Sequence, residues 1–182
     1  ETDICEPNTV YGIAKLSSTL YCNHISAKEN KNIGTIRLFS VYGDYEEKGR
    51  LIPTLFINLL NGENVKLGNP AAVRDFVYID DVVEAYISIL KNPEKIKGKI
   101  FNISSGNQIS IGEISEKVKS ILNSSCFLDF GNLSGRTFDS TTWLGDSSLF
   151  RETFNWTPKK IDEGLKKSAE WFSKNLNLYK EV

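Results

Sequence analysis

The sequence contains no methionine and only one histidine, His24, among its 182 residues. Its three cysteines, Cys5, Cys22 and Cys126, are odd in number and widely spaced, so they form neither a metal-binding motif nor a disulfide framework. With a single histidine, neither a zinc site nor a Ser-His-Asp triad is expected. The cysteine pattern favours a reducing cytoplasm as the location of the protein.

A strong charge of either sign and a long apolar run are also lacking. The 22 basic and 23 acidic residues give a net charge of -1, so there is no electrostatic reason to expect nucleic acid or an anionic membrane as a partner. No apolar run approaches the length of a membrane span, and ETDICEPNTV has no signal-peptide pattern. Because the chain starts with Glu1 and lacks methionine, we expect a piece cut from a longer protein rather than a processed one.

The rest of the composition is that of an ordinary globular protein, with 40% hydrophobic and 25% charged residues. Apolar residues at helical spacing alternate with short β-branched and aromatic segments. Helices are predicted at 8–29, 51–62, 80–92, 111–123, 147–154 and after Pro158. Strands are predicted within 35–43, 64–79, 98–105 and 126–130. This alternation indicates an α/β or α+β fold. Asp80 and Ser110 are interpreted as helix N-caps, and Trp143, Trp156 and Trp171 as packing residues.

Tyr11 and Lys15 stand four residues apart in NTVYGIAK, which places both side chains on one face of a helix. A free phenol has a pKa of about 10, and a nearby ammonium lowers that pKa by stabilising the phenolate. The pair has the chemistry of an acid/base couple. The alternative is a surface pair without a function, because this spacing also arises by chance.

The segments that follow decide between these two interpretations. In order they are RLFSVYG, LIPTLFINLLNG, VRDFVYIDDVVEAY, IFNISSG and FNWTPKKIDEGLKKSAEWF. Their order and spacing resemble the extended short-chain dehydrogenase/reductase family, specifically its NAD-dependent sugar-nucleotide epimerases and dehydratases. The resemblance covers essentially the whole chain, and RDFVYIDDV is its most specific segment.

The resemblance implies an α/β fold made of the C-terminal part of a Rossmann-type parallel sheet plus a smaller α/β substrate-binding lobe. Residues 1–43 would form the last part of the NAD-binding domain. Residues 44–182 would form mostly the sugar-nucleotide lobe, with some segments returning to the Rossmann domain. In the full-length enzyme, the resemblance also implies a homodimer that uses the Tyr-Lys helix in a four-helix bundle.

The resemblance assigns the acid/base role, next to the sugar C4 oxygen, to Tyr11. Lys15 would contact the nicotinamide ribose and tune the tyrosine. Phe39, Ser40 and Val41 would flank the nicotinamide and the sugar. Many relatives carry Asn where this chain has Ser40, and Pro in place of the residue after Gly43, which leaves the exact substrate open.

The residues implied to bind the nucleoside-diphosphate sugar are Ser40, Leu51, Val65, Leu67, Arg74, Arg136 and Asp139. Leu51 and the strand 65–67 would hold the base, and Asp139 the ribose. Arg74 and Arg136 would bind the diphosphate, since guanidiniums match it with paired donors. For Arg74 the alternative is an ion pair with Asp75 or Asp80, because structural pairs imitate functional sites. For Arg136 it is a solvated loop charge.

The glycine-rich turn that binds the cofactor in such enzymes is missing from this sequence. No G-x-x-G-x-x-G turn occurs, and the Ser/Thr of the catalytic triad would precede residue 1. We therefore expect a fragment of an enzyme that uses NAD or NADP, and expect the fragment alone to be inactive. The residues that separate an epimerase, a 4,6-dehydratase and a 4-keto reductase would also lie upstream. The alternative function is a non-catalytic nucleotide-sugar or NAD-binding regulatory subunit of the same fold.

Overall fold

A computed structural model describes residues 1–131 and 141–179 of the chain. Its helices are α1 (Val10–Glu29), α2 (Leu51–Leu60), α3 (Ile79–Lys91), α4 (Ile111–Ile121), α5 (Ser148–Phe154) and α6 (Ile161–Asn175). Its strands are β1 (Thr35–Leu38), β2 (Ser40–Tyr42), β3 (Val65–Leu67), β4 (Val73–Tyr78), β5 (Ile100–Ile103), β6 (Gln108–Ser110) and β7 (Leu128–Phe130). Short 3-10 helices cover Pro93–Ile96 and Leu176–Tyr179. Helices alternating with short strands confirm the predicted α/β class.

The strands pair with partners that are distant in sequence. β1 is parallel to β5, β2 is parallel to β4, and β3 is parallel to β7. β6 is antiparallel to β4, and Asp75 lies opposite Gln108. The single strand expected within 35–43 is divided at Phe39 into β1 and β2, which join different sheets. Phe39 therefore lies where the chain passes from one sheet to the next.

The helix caps were predicted correctly at Ser110 and wrongly at Asp80. The Ser110 hydroxyl accepts from the Glu113 N–H at 3.1 Å, and the Glu113 carboxylate accepts from the Ser110 N–H at 3.0 Å, which is a capping box. Helix α3 instead begins at Ile79, with Tyr78 at its N-cap. Strand β4 runs directly into this helix, so Asp80 falls within the first turn of α3. A carboxylate there still interacts favourably with the positive end of the helix dipole.

Two hydrophobic clusters lie on opposite faces of β4. Phe76 and Tyr78 belong to the first cluster, with residues of α2, α4 and α6. Val77 belongs to the second, with residues of α3 and β5. Successive side chains of a strand point to opposite faces, so one strand serves both clusters. Every helix within the described ranges is too short or too polar to span a bilayer.

Two of the tryptophans have the packing role that the sequence predicts. The Trp156 side chain is buried in the second cluster, with its ring 5.5 Å from that of Phe150. Trp171 packs against the first cluster, with its ring 5.0 Å from that of Phe172. Trp143 has a different position, which belongs to the site described next.

Candidate functional site

One cleft, of about 810 Å³, lies where the β1–β2 junction, the start of α2 and the ends of β3 and β4 meet. Residues predicted to act on a cofactor or substrate line it together: Tyr11, Phe39, Ser40, Val41, Leu51, Leu67 and Arg74. Val65 is fully buried in the first cluster and does not line the cleft. Arg136 and Asp139 lie outside the described residues.

Tyr11 and Lys15 lie at the start of α1 and share one face of that helix. Thr9 is the N-cap of the helix, and its hydroxyl accepts from the Gly12 N–H at 3.0 Å. The Lys15 ammonium lies over the Tyr11 ring, 5.4 Å from its centroid. The Tyr11 side chain is 72% exposed and lines the cleft, so its hydroxyl is accessible to a bound ligand.

Arg74 reaches the cleft from β4, and its guanidinium lies over an aromatic ring. Its guanidinium carbon lies 5.0 Å from the centroid of the Trp143 ring, and its Nη1 donates to the Val73 carbonyl at 2.7 Å. The prediction that Trp143 is a packing residue is wrong, because its side chain is 42% exposed and lines the cleft. The residue lies in an irregular segment with no helical or strand periodicity to indicate which way it faces.

Asp75, the neighbour of Arg74, is fully buried on the opposite side of β4. Its carboxylate accepts hydrogen bonds from the Ser105 N–H at 2.8 Å and the Ser105 hydroxyl at 2.7 Å. It also accepts from the N–H groups of Gly106 and Gly145, each at 3.1 Å. These donors stabilise the buried charge, so Asp75 acts as a brace between two loops.

Charged residues without a predicted role, among them Glu46 and Arg50, also line the cleft, as does Lys66 of the strand predicted to hold the base. Burial raises the pKa of Glu46 to about 7, against the lowering effects of the Gly43 N–H and the Arg50 charge. Glu46 Oε2 is buried and has no hydrogen-bond partner among the described residues. Glu46 and Arg50 lie in a polar loop and Lys66 on a short strand, where sequence patterns do not distinguish a site from a solvated surface.

The cleft thus combines an accessible phenol with three cationic side chains. Arg50, Lys66 and Arg74 can neutralise an anionic ligand, and Tyr11 can exchange a proton with a neighbouring hydroxyl. A family model described as the NAD dependent epimerase/dehydratase family matches residues 1–104. The chain belongs to this family.

Curated relatives of this epimerase/dehydratase chain include two proteins at 30% identity. One is ADP-L-glycero-D-manno-heptose-6-epimerase of Brachyspira hyodysenteriae, matched over 93% of this chain and 56% of the relative. The other is CDP-abequose synthase of Salmonella muenchen, matched over 72% of this chain and 45% of the relative. The chain therefore spans about half the length of the relatives it matches.

Solved structures of other proteins share the fold of this epimerase/dehydratase chain. A UDP-glucose 4-epimerase from Thermotoga maritima, solved with UDP-glucose, superposes with a TM-score of 0.84 at 28% identity. The match covers 96% of this chain and 57% of that structure. This similarity confirms the predicted Rossmann-type α/β fold, while the predicted division at residue 43 stays a prediction.

Proposed function

We propose that the protein modifies a nucleoside-diphosphate sugar at C4, as an epimerase, a 4,6-dehydratase or a 4-keto reductase. The observation that carries this proposal is the position of Tyr11. It lines the same cleft as Arg74, and Lys15 lies against its ring. The cleft brings a proton-transfer group and an anion-binding group within reach of one ligand.

In this proposal Tyr11 moves the proton and Arg74 holds the diphosphate. The Tyr11 hydroxyl, ionised, takes the proton of the sugar hydroxyl at C4 as the C4–H bond breaks, and returns the proton in the reverse direction. The Lys15 ammonium lies over the Tyr11 ring, 5.4 Å from its centroid. Arg74 offers planar paired donors to the phosphate oxygens, so the sugar is held in one position beside Tyr11.

The family description supports an NAD-type cofactor, and the residues present fit part of such a group. An exposed ammonium, Lys15, stands one helical turn from Tyr11, suited to donate to ribose hydroxyls. Phe39 and Ser40 line the cleft at the sheet junction. A nicotinamide, when bound, would accept the hydride released from C4. We propose NAD or NADP, held mostly by residues that precede this chain, so that the chain alone is inactive.

The alternative is a regulatory subunit that binds the nucleotide sugar or NAD without turnover. The exposed Tyr11 with Lys15 against its ring favours the enzyme, since binding alone does not require a proton-transfer couple. We also propose a homodimer and a cytoplasmic location for the full-length protein, the second because its widely spaced cysteines suggest a reducing compartment.

The experiment compares wild type, Tyr11→Phe and Tyr21→Phe of the full-length protein that contains this chain. Turnover of UDP-, dTDP-, ADP- and CDP-hexoses would be followed by product NMR. Tyr11→Phe should lower kcat by roughly 10²–10⁴-fold, because it removes the proton-transfer group, with little change in sugar-nucleotide affinity. Tyr21 is exposed on the same helix and serves as the matched control, with turnover expected at the wild-type rate.

Near wild-type turnover by Tyr11→Phe would reject the role of this tyrosine. Wild-type protein that binds a nucleotide sugar tightly but never converts it, with NAD or NADP supplied, would favour the regulatory subunit instead.

A further inference from the structure

The segment 143–145 is held by two residues that lie opposite each other on strands β4 and β6. Gln108 Oε1 accepts from the Trp143 N–H at 3.0 Å, and Asp75 Oδ2 accepts from the Gly145 N–H at 3.1 Å. Asp75 and Gln108 are direct partners in the antiparallel register. One cross-strand pair therefore fixes the segment at two points two residues apart.

At Gly145 the backbone of this segment packs tightly against Ser104 and Phe39. A Cβ atom at Gly145 would come within 2.4 Å of the Ser104 Cβ and 2.6 Å of the Phe39 ring. Only glycine permits this approach. Phe39 itself lines the cleft, so the segment passes directly behind the cleft wall.

The fixed segment places the Trp143 ring against Arg74, the residue that precedes Asp75 on β4. The guanidinium carbon lies over the ring, 5.0 Å from its centroid. The Val73 carbonyl also accepts from Arg74 Nη1, at 2.7 Å. These two contacts restrain a long side chain before a ligand binds, which lowers the entropic cost of binding.

We propose that Trp143 is a positioning residue that fixes the Arg74 guanidinium for a diphosphate, and that Gln108 sets the position of Trp143. This proposal rests on the proposed function, in which Arg74 binds the diphosphate. It adds that the affinity for the diphosphate depends on the contact between Trp143 and Arg74 as well as on the charge of Arg74.

The test is a double-mutant cycle of Trp143→Leu and Arg74→Ala in the 182-residue chain. UDP, CDP, ADP and dTDP are titrated by calorimetry, and the tightest binder is then used with its phosphate-free nucleoside as reference. Trp143→Leu should weaken diphosphate binding by about three- to tenfold when Arg74 is present, and by less than about twofold when Arg74 is replaced. Nucleoside affinity should change little in either background.

Three further variants separate positioning from a loss of folding. Trp143→Phe keeps an aromatic face and should retain most of the affinity. Leu144→Ala changes an exposed neighbour on the same segment and should have no effect. Gln108→Ala, at an exposed position, should weaken binding only when Arg74 is present, and it replaces Trp143→Leu in the cycle if that variant fails to fold.

Equal weakening by Trp143→Leu with and without Arg74 would overturn the positioning role and leave the proposed function intact. If Arg74→Ala leaves diphosphate affinity unchanged, the diphosphate role of Arg74 fails, and the positioning proposal fails with it. If none of the four diphosphates binds to the chain, the positioning proposal is likewise rejected, whereas the Tyr11 variants of the full-length protein test the proposed function separately.

Discussion

The backbone N–H and the ammonium of Lys159 both donate to the carboxylate of Asp81, at 2.7 Å and 2.5 Å. Asp81 is fully buried in the first turn of α3, and the Trp156 indole N–H donates to its carbonyl at 2.9 Å. Burial opposes the charge of Lys159, but Asp81 and Glu84 outweigh that effect and raise the pKa of Lys159. The pair ties α3 to the segment that leads into α6.

Lys159→Met should destabilise the protein by about 2–4 kcal/mol, because it leaves the buried Asp81 carboxylate without its counter-charge. Urea unfolding would measure this loss. Lys160→Met, at the exposed next residue, is the control and should change the free energy of unfolding by less than about 0.5 kcal/mol. Equal stabilities of the two variants would show that the pair contributes nothing.

Glu46 should make stability depend on pH. Its pKa rises from the ordinary 4.5 to about 7 on folding because of burial, so the folded state binds the proton more tightly than the unfolded state. The resulting stabilisation is complete below pH 4.5 and is lost as pH rises through about 7. Glu46→Gln stays neutral, so its free energy of unfolding relative to wild type should be higher at pH 8 than at pH 5, by on the order of 2 kcal/mol.

Urea unfolding of both proteins at the two pH values checks this difference. Glu47→Gln changes an exposed neighbour, and its stability relative to wild type should be the same at both. A Glu46→Gln variant whose relative stability does not change with pH would contradict the raised pKa.

Gly164→Ala should destabilise the protein although alanine is the better helix former. A Cβ at this position in α6 would come within 2.0 Å of the Tyr42 hydroxyl and 3.1 Å of the Tyr78 Cβ. Overpacking of a buried contact costs about 1–3 kcal/mol, more than the helix-propensity gain of about 1 kcal/mol. Tyr42→Phe removes the hydroxyl and should recover part of the loss in the double variant, as measured by thermal unfolding. Additive losses would contradict the clash.

Most of the fold could be predicted from the sequence, because apolar spacing and turn residues mark each long element. The helices around Leu55, Val82 and Val118 lie where the periodicity places them. Strand β6 was not predicted, since its three residues show no alternation and owe their conformation to pairing with β4. The break at Phe39 also depends on which strands are available as partners.

Tyr11, Ser40 and Arg74, which the family resemblance assigns to cofactor or substrate binding, line the cleft. Glu46 and Trp143 could not be predicted, because their positions depend on contacts between distant parts of the chain. Two hydrogen bonds hold Trp143 near Arg74. One joins the Trp143 N–H to Gln108, 35 residues away in sequence, and the other joins the Gly145 N–H to Asp75, 70 residues away. No local pattern records such contacts.

The alternation of β4 side chains between the two hydrophobic clusters affects how cooperatively the protein unfolds. Phe76 and Tyr78 are anchored in one cluster and Val77 in the other, while the β4 backbone also carries the hydrogen bonds to β2 and β6. Unfolding of either cluster would require β4 to leave contacts that the other cluster still makes with it. The two clusters therefore share a single cooperative unit, and the amides of β4 should exchange with solvent only when the whole structure opens.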